Sequence, residues 1–223
     1  DEGKLEKIPF DEYLDSDDES LYALTLEIIR SAGTRRCTEK LKETLPRRSL
    51  EMKLETLRAI RQVEGANQAG YFFSLAGEKG DPEVRAEATR AAGRALAVAA
   101  QSSGGATSPQ ALAAVGVLMR SARAPLDAPT MKSTSTGKTI KAGTAYEREF
   151  ERYLARFFLE TQPPAVAAYL KNDSAETLPL ESRLLAALAL APMESAAEVA
   201  RLLPQFNRPP GDEELLRLAQ QPD

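Results

Sequence analysis

Few residues of this sequence could perform catalysis or bind a metal ion, because it contains a single cysteine, Cys37, and no histidine. Imidazole is the commonest general base and a usual ligand of zinc, copper and haem, and one thiol cannot form an internal disulfide. Arg35 and Arg36 precede Cys37 and could lower the pKa of its thiol. A partly buried, structural cysteine near a helix start is the alternative that we favour. The sequence therefore predicts a non-catalytic chain with no metal site and no cofactor.

Two further patterns suggest chemistry without completing it. The segment 133–139 contains the Gly-Lys-Thr triplet of a phosphate-binding loop, but the first glycine of that motif and the preceding strand are missing, so nucleotide binding is not expected. Glu147 and Glu151 could form an acid–base pair, yet arginines alternate with them on a helix whose opposite side is aromatic. We expect a solvated face with ion pairs at helical spacing, such as Glu149 with Arg152.

Charge is distributed unevenly along the chain, which carries a net charge of −4. The first nineteen residues hold nine acidic side chains and two lysines, whereas residues 30–61 hold ten bases and four acids. Near the two ends of one short predicted helix lie four arginines that could form a charged rim for an acidic partner. The alternative is that residues 11–19 fold back onto this rim and make its charges structural. The four arginines are Arg35, Arg36, Arg47 and Arg48.

Tyr71 is the aromatic residue of the sequence that is hardest to bury. It begins the run Tyr71-Phe72-Phe73, and three consecutive helical residues span about 200° of the helix, more than one buried face accommodates. We predict that Tyr71 lies at the edge of a groove as an aromatic anchor for a partner. Packing between two helices with its hydroxyl satisfied is the alternative.

The elements that must position these residues are helices. Apolar residues recur at helical spacing through most of the chain, and glycines and prolines punctuate them. The sequence predicts an all-α fold in which about five helical hairpins stack as an α-α superhelix. Its predicted parts are an acidic N-terminal lead (1–19), helical pairs (20–123), a flexible loop (124–144) and further helical pairs continuous with the first (145–223).

The run from Asp81 to Ala88, with the sequence Asp-Pro-Glu-Val-Arg-Ala-Glu-Ala, resembles the opening of a HEAT-repeat helix. The resemblance implies that an Asp81-Pro82 turn starts the helix and that Val84 and Ala88 face its neighbours. It also implies that Arg85 helps to tie adjacent repeats together. Independently of the family, Asp81 suits the position that caps a helix, and Pro82 suits its first turn because no amide donor is needed there.

A second resemblance concerns residues 146–154 and 184–190. They are similar to helical regions of large secreted bacterial proteins that join a dehydrogenase-like propeller, HEAT-type repeats and a c-type cytochrome. The resemblance implies a periplasmic or secreted location and a place within a larger redox protein. The sequence contains no Cys-x-x-Cys-His haem site, so any redox activity would lie in other domains or chains.

Taken together, these patterns predict a protein-binding or scaffold module whose curved surface meets an acidic protein or another domain. No apolar run approaches the roughly 18 residues that cross a bilayer, so no membrane span is predicted. The alternative is a HEAT-like DNA-binding repair enzyme, which would need a broad basic surface, whereas this chain is net acidic and lacks tryptophan. A chromophore-lyase-like repeat protein is a third possibility, for which no residue is diagnostic.

Overall fold

Helices make up most of the computed structural model, which describes residues 8–77, 80–126 and 128–220. The predicted helical class is confirmed at this level. The chain forms two compact units that divide between Tyr71 and Phe72, inside the segment 20–123 that we predicted to consist of helical pairs.

The first unit is built from short and medium helices joined by tight turns. Asp18 begins the second helix by accepting hydrogen bonds from the amides of Ser20 and Leu21 at 2.9 and 3.3 Å, and Gly33 ends it with a positive φ of 64°. The helices are α1 (Phe10–Asp15), α2 (Glu19–Ala32), α3 (Thr38–Thr44), α4 (Leu50–Glu64) and α5 (Ala69–Gly77), the last crossing the division. Short 3-10 turns occupy Leu45–Arg47 and Gly65–Gln68.

Tyr22 lies at the centre of the first unit. Its side chain is fully buried on α2, and its hydroxyl hydrogen-bonds to the hydroxyls of Thr56 and Thr44 at 2.8 and 3.2 Å. Phe10 and Leu14 of α1 are also fully buried. The described part of the predicted acidic lead, from residue 8, is therefore a helix that contributes to the core, while residues 1–7 lie outside the described residues.

The second unit begins with a pair of long helices and continues with shorter ones. Its helices are α6 (Pro82–Gln101), α7 (Pro109–Ser121), α8 (Thr144–Glu160), α9 (Pro163–Leu170), α10 (Asp173–Glu176), α11 (Leu180–Leu188), α12 (Pro192–Leu202) and α13 (Asp212–Ala219). Helix α6 packs against α7 and α8, α7 packs against α9, and α12 packs against α11 and α13. Further 3-10 turns occupy Gly105–Thr107 and Leu203–Gln205.

Prolines and capping residues begin α6 and α7, and one prediction for α6 needs correction. Pro82 occupies the first turn of α6, and Ser108 accepts a hydrogen bond from the amide of Ala111 at the start of α7. Asp81 holds the capping position of α6, but within the described residues its side chain accepts no capping hydrogen bond. The predicted capping bond of Asp81 is therefore wrong, and Pro82, which needs no donor partner, begins the helix.

A β-hairpin replaces part of the loop that we predicted at 124–144. Strands β1 (Thr130–Ser133) and β2 (Thr139–Ala142) pair antiparallel, with Met131 opposite Lys141. Gly137 turns the chain with a φ of 76°, which glycine adopts at little cost. The four-residue strands are too short to produce a recognisable alternating pattern, so the sequence did not reveal them. Asp127 lies outside the described residues.

A helix that spans a membrane needs both sufficient length and sufficient apolarity. Over the described ranges, no helix is both long and apolar enough to cross a bilayer.

Candidate functional site

The predicted arginine rim of the first unit is largely occupied by its own chain. Arg48 is only 6% exposed, its guanidinium lies 4.0 Å from the centroid of the Tyr22 ring, and it donates hydrogen bonds to the carbonyls of Leu14 and Ser16. Arg47 forms an ion pair with Asp15. Helix α1 and the residue after it cover this arginine and use its Nη1 and Nη2 donors, whereas its Nε is buried without a hydrogen-bond partner among the described residues. This burial argues against the predicted contact of Arg48 with a partner.

Arg35 and Arg36 also have intramolecular partners. Arg36 donates to the carbonyl of Ile8 at 3.2 Å and lies 5.6 Å from the Phe10 ring centroid. Arg35 donates from Nε to the carbonyl of Val63 at 3.0 Å. The contacts of Arg47 and Arg48 with residues 14–16 favour the alternative in which residues 11–19 fold back and make the rim structural. Arg36 contacts residues just before that segment, and Arg35 contacts α4 instead.

The pKa of Asp15 also reflects the contacts among charged groups in the first unit. Hydrogen bonds from Lys40 and Arg47 lower the pKa of its carboxyl group. Arg47, which we predicted to steer a partner, is therefore engaged with Asp15 at this end of the first unit.

Tyr71 and Cys37 have different environments. Tyr71 is half-buried, and the Lys42 ammonium lies 5.2 Å from its ring centroid, so its role as an anchor stays a prediction. Cys37 is fully buried, and burial raises the pKa of its thiol. A buried, protonated thiol is a poor nucleophile, which favours the structural role for this cysteine.

Helix α8 presents the opposite faces from those we predicted. Glu151 is buried at 5% exposure, together with Leu154 and Leu159, whereas Tyr153 and Phe157 are exposed at 62% and 49%. The predicted solvated carboxylate face is therefore wrong at Glu151, whereas Glu149 is exposed and α8 does contain ion pairs at helical spacing, such as Arg156 with Glu160 at 2.7 Å. The predicted pair of Glu149 with Arg152 does not form either, since Glu149 pairs with Lys141 at 2.7 Å and Arg152 lies 3.7 Å from Glu181.

We define the aromatic stripe as Tyr146, Phe150, Tyr153 and Phe157, spaced by four, three and four residues along α8. The ring centroids of Phe150 and Tyr153, and those of Tyr153 and Phe157, are each 6.4 Å apart. Arg90 of α6 places its guanidinium 5.9 Å from the Phe150 ring centroid. At one end, Tyr146 and Phe150 line a hollow of about 230 Å³ with Pro82 and Ala86. Tyr146, Tyr153 and Phe157 are exposed and Phe150 is half-buried, so the stripe forms a largely exposed aromatic surface on one long helix.

Behind the stripe, three arginines surround the buried Glu151. Arg85 of α6 lies 2.6 Å from one carboxylate oxygen, and Arg123, which follows α7, lies 2.6 Å from the other. Arg148 approaches the second oxygen to 3.5 Å. We call this group the arginine cleft, and the hollow that it lines has a volume of about 390 Å³.

Arg85 thus joins α6 to α8. Its role in tying adjacent repeats together stays a prediction. Ala88 is fully buried and Val84 is half-buried on the same helix. The sequence motif singled out Arg85, but it did not reveal that Glu151 is its carboxylate partner.

A second charged network lies at the other end of α8. Arg208 binds Glu181 at 2.9 Å and Glu214 at 2.8 Å. The hydrogen bonds from Arg208 lower the pKa of Glu214 and those carboxylates raise the pKa of Arg208. The network borders a hollow of about 420 Å³ with a leucine floor, and each charge in it is matched by an opposite one.

Metal binding has no visible basis in these clusters. Across residues 8–77, 80–126 and 128–220, no three cysteine or carboxylate side chains are grouped so that they could hold a metal ion.

Comparisons of the chain with protein-family models, with curated proteins and with solved structures found no match.

Proposed function

We propose that this chain is a non-catalytic protein-binding or scaffold module whose partner docks on the aromatic stripe. The observation that carries the proposal is the exposure of neighbouring aromatic rings on a 17-residue helix whose other face is buried. Monomeric proteins rarely expose large contiguous apolar patches, and where such patches occur they usually mark interaction surfaces. Aromatic side chains are also enriched among the residues that contribute most to binding energy.

The stripe has the spacing of a helix-binding surface. Tyr146, Phe150, Tyr153 and Phe157 fall on successive turns of α8, so a partner helix lying along it could insert one apolar side chain per turn. Because neighbouring rings already contact one another, little side-chain freedom is lost when they are covered. These features support an amphipathic helix, of another protein or another domain, as the ligand.

The charge next to the stripe supports an acidic partner. Arg90 lies over the Phe150 ring, and Arg94, one turn further along α6, is exposed. Arg94 forms no ion pair with the described residues, whereas Arg90 is 3.2 Å from Glu87. An acidic side chain of a partner helix could therefore pair with Arg94 at the border of the apolar contact.

We further propose that α6 to α9 form stacked helical hairpins of the HEAT type. Pro82 and Ala86 share a hollow with Tyr146 and Phe150, and Gly93 lies against Phe158. The contacts advance in the same direction along both helices, so α6 and α8 run parallel. This supports a repeated pair in which α6 and α8 are equivalent first helices.

The test is a crosslinking experiment followed by measured binding. A photoreactive phenylalanine analogue at Tyr153 is used to capture a partner, which is then purified and titrated against variants of the whole chain. We expect Tyr153→Ala and Phe157→Ala each to weaken binding by about tenfold or more, since buried aromatic anchors contribute about 1 to 2 kcal/mol or more.

Met193→Ala is the matched control, because Met193 is 71% exposed and lies outside the stripe. It should leave the affinity unchanged. If the Tyr153→Ala and Phe157→Ala variants bound the purified partner as tightly as the unaltered protein does, the proposal would be contradicted. So would DNA binding that falls with salt and does not depend on the stripe, which would instead support the repair-enzyme alternative.

A further inference from the structure

The arginine cleft carries more positive charge than its own carboxylate balances. The guanidinium groups of Arg85, Arg123 and Arg148 approach the two oxygens of Glu151 to 2.6, 2.6 and 3.5 Å. The side chains of Arg85, Arg148 and Glu151 are only 12, 18 and 6% exposed, whereas that of Arg123 is 38% exposed and faces the hollow. Charges that are removed from water are costly unless they are paired. Glu151, with Glu147 at the lining, supplies two negative charges against three arginines, so one further negative charge would balance the cleft.

The pKa of Arg148 reflects this excess. It is lowered by burial first and by repulsion from Arg123 next, which Glu151 offsets only in part. An arginine stays protonated in proteins, so the repulsion is retained as an unfavourable interaction that a bound anion would relieve.

The cleft also has hydrogen-bond donors to offer. Arg148 uses Nη1 to bind the carbonyl of Ala124 at 2.9 Å, and Arg123 uses Nη2 to bind Glu151. Within the described part of the chain, Nε and Nη1 of Arg123 and Nη2 of Arg148 make no hydrogen bond. The hydroxyl-bearing Thr144 lines the same hollow.

The backbone adds to the same electrostatic preference. The hollow lies at the amino-terminal ends of α6 and α8, which contain 20 and 17 residues. Helix amino termini carry partial positive charge and favour anions. Glu147 also lines the hollow, and its negative charge repels an anion. Removing that charge therefore tests whether the ligand is negatively charged.

We infer that the arginine cleft is a binding site for a small anion that presents a carboxylate or phosphate group to Arg123 and Arg148. Both groups match the planar guanidinium fork, which binds two oxygens at once. A volume of about 390 Å³ suits a small molecule. The inference does not depend on the aromatic stripe, because the residues that bind the anion are different.

The experiment measures binding of succinate and of inorganic phosphate to the whole chain by calorimetry, at constant ionic strength set with chloride. We expect one of the two anions to bind, and Arg123→Gln and Arg148→Gln each to weaken it about tenfold, as loss of a charge-assisted hydrogen bond predicts. Succinate binding alone identifies a carboxylate ligand and phosphate binding alone a phosphate ligand. Glu147→Gln should tighten binding of either.

Arg94→Gln is the control for net charge, since Arg94 is exposed on α6 outside the cleft. Circular dichroism and the melting temperature establish that each variant is folded. A folded Arg123→Gln protein that binds either anion as tightly as the unaltered protein would overturn the inference. Absence of measurable binding by the unaltered protein, or equal weakening in Arg94→Gln, would overturn it as well.

Discussion

The ring of Phe158 occupies the space that a side chain on Gly93 would fill. A Cβ atom at Gly93 would overlap the Cγ and both Cδ atoms of that ring. Helix α6 therefore accepts Phe158 directly against its backbone, which fixes the rotation of α8 about its own axis. With Phe158 turned inward, Leu154 and Leu159 are buried and Tyr153 and Phe157 face outward.

Gly93→Ala should destabilise the second unit because the new methyl group must displace an aromatic ring. We expect a loss of about 1 to 3 kcal/mol in the free energy of unfolding, as is typical of overpacked cores. Denaturant unfolding measures it. Gly70→Ala in α5 is the matched control, since a Cβ atom there meets nothing within 4 Å. Equal stability of the two variants would show that Phe158 moves freely.

Much of the helical architecture follows from local sequence. Asp18, Gly33 and Pro82 mark helix boundaries through their own backbone chemistry, and the structure places boundaries at each of them. Helix α1 was missed because six residues with Phe10 and Leu14 as the buried pair leave too little pattern to recognise. Its burial depends on α2 and α3, against which it packs.

The site was harder to predict than the fold. The spacing of the aromatic stripe was visible in the sequence, but α8 also carries Leu154 and Phe158, and periodicity does not tell which of two stripes is buried. That choice depends on Gly93, which lies far away in sequence. The burial of Glu151 likewise depends on Arg85 and Arg123, which lie before α8 in the chain.

Leu14→Ala tests whether α1 is part of the core of the first unit. Leu14 is fully buried, so we expect a loss of about 2 to 5 kcal/mol, the usual range for leucine truncation in a core. Leu24→Ala is the matched control because Leu24 is 59% exposed on α2. Thermal and denaturant unfolding measure both. A Leu14→Ala protein as stable as the control would support a removable α1 that masks the arginine rim.

Asp81→Asn tests a repulsive contact at the start of α6. A hydrogen bond with Asp81 raises the pKa of Glu83, as do burial and the charge of Asp81. A raised pKa means that the folded state binds this proton more tightly than the unfolded chain. The resulting stability is present below the unfolded pKa and is lost as pH rises through the folded value.

We therefore expect Asp81→Asn to be more stable than the unaltered protein at neutral pH, with the difference shrinking as the pH falls toward 4. Asparagine also suits a capping position, so the helix start is kept. Melting temperatures across this pH range provide the measurement, with Asp17→Asn as a control at an exposed site. A difference that grows on acidification would reverse the sign of the proposed interaction.

Glu151→Gln tests the centre of the arginine cleft. The substitution keeps the shape of the side chain but leaves Arg85, Arg123 and Arg148 without their shared carboxylate. Removing one partner of a buried ion pair leaves the other charges uncompensated and typically costs about 3 to 5 kcal/mol. We expect the second unit to lose stability by about that amount in denaturant unfolding.

Glu149→Gln is the matched control on the same helix. Glu149 is also ion-paired, with Lys141 at 2.7 Å, but both side chains are about half exposed. Exposed pairs contribute about 0 to 1 kcal/mol, so this variant should remain close to the unaltered protein. Added phosphate or succinate should restore part of the stability lost in Glu151→Gln, because an anion can replace the missing carboxylate between the arginines. Equal small losses in both variants would mean that water already screens the cleft, and the charge excess would then have no structural consequence.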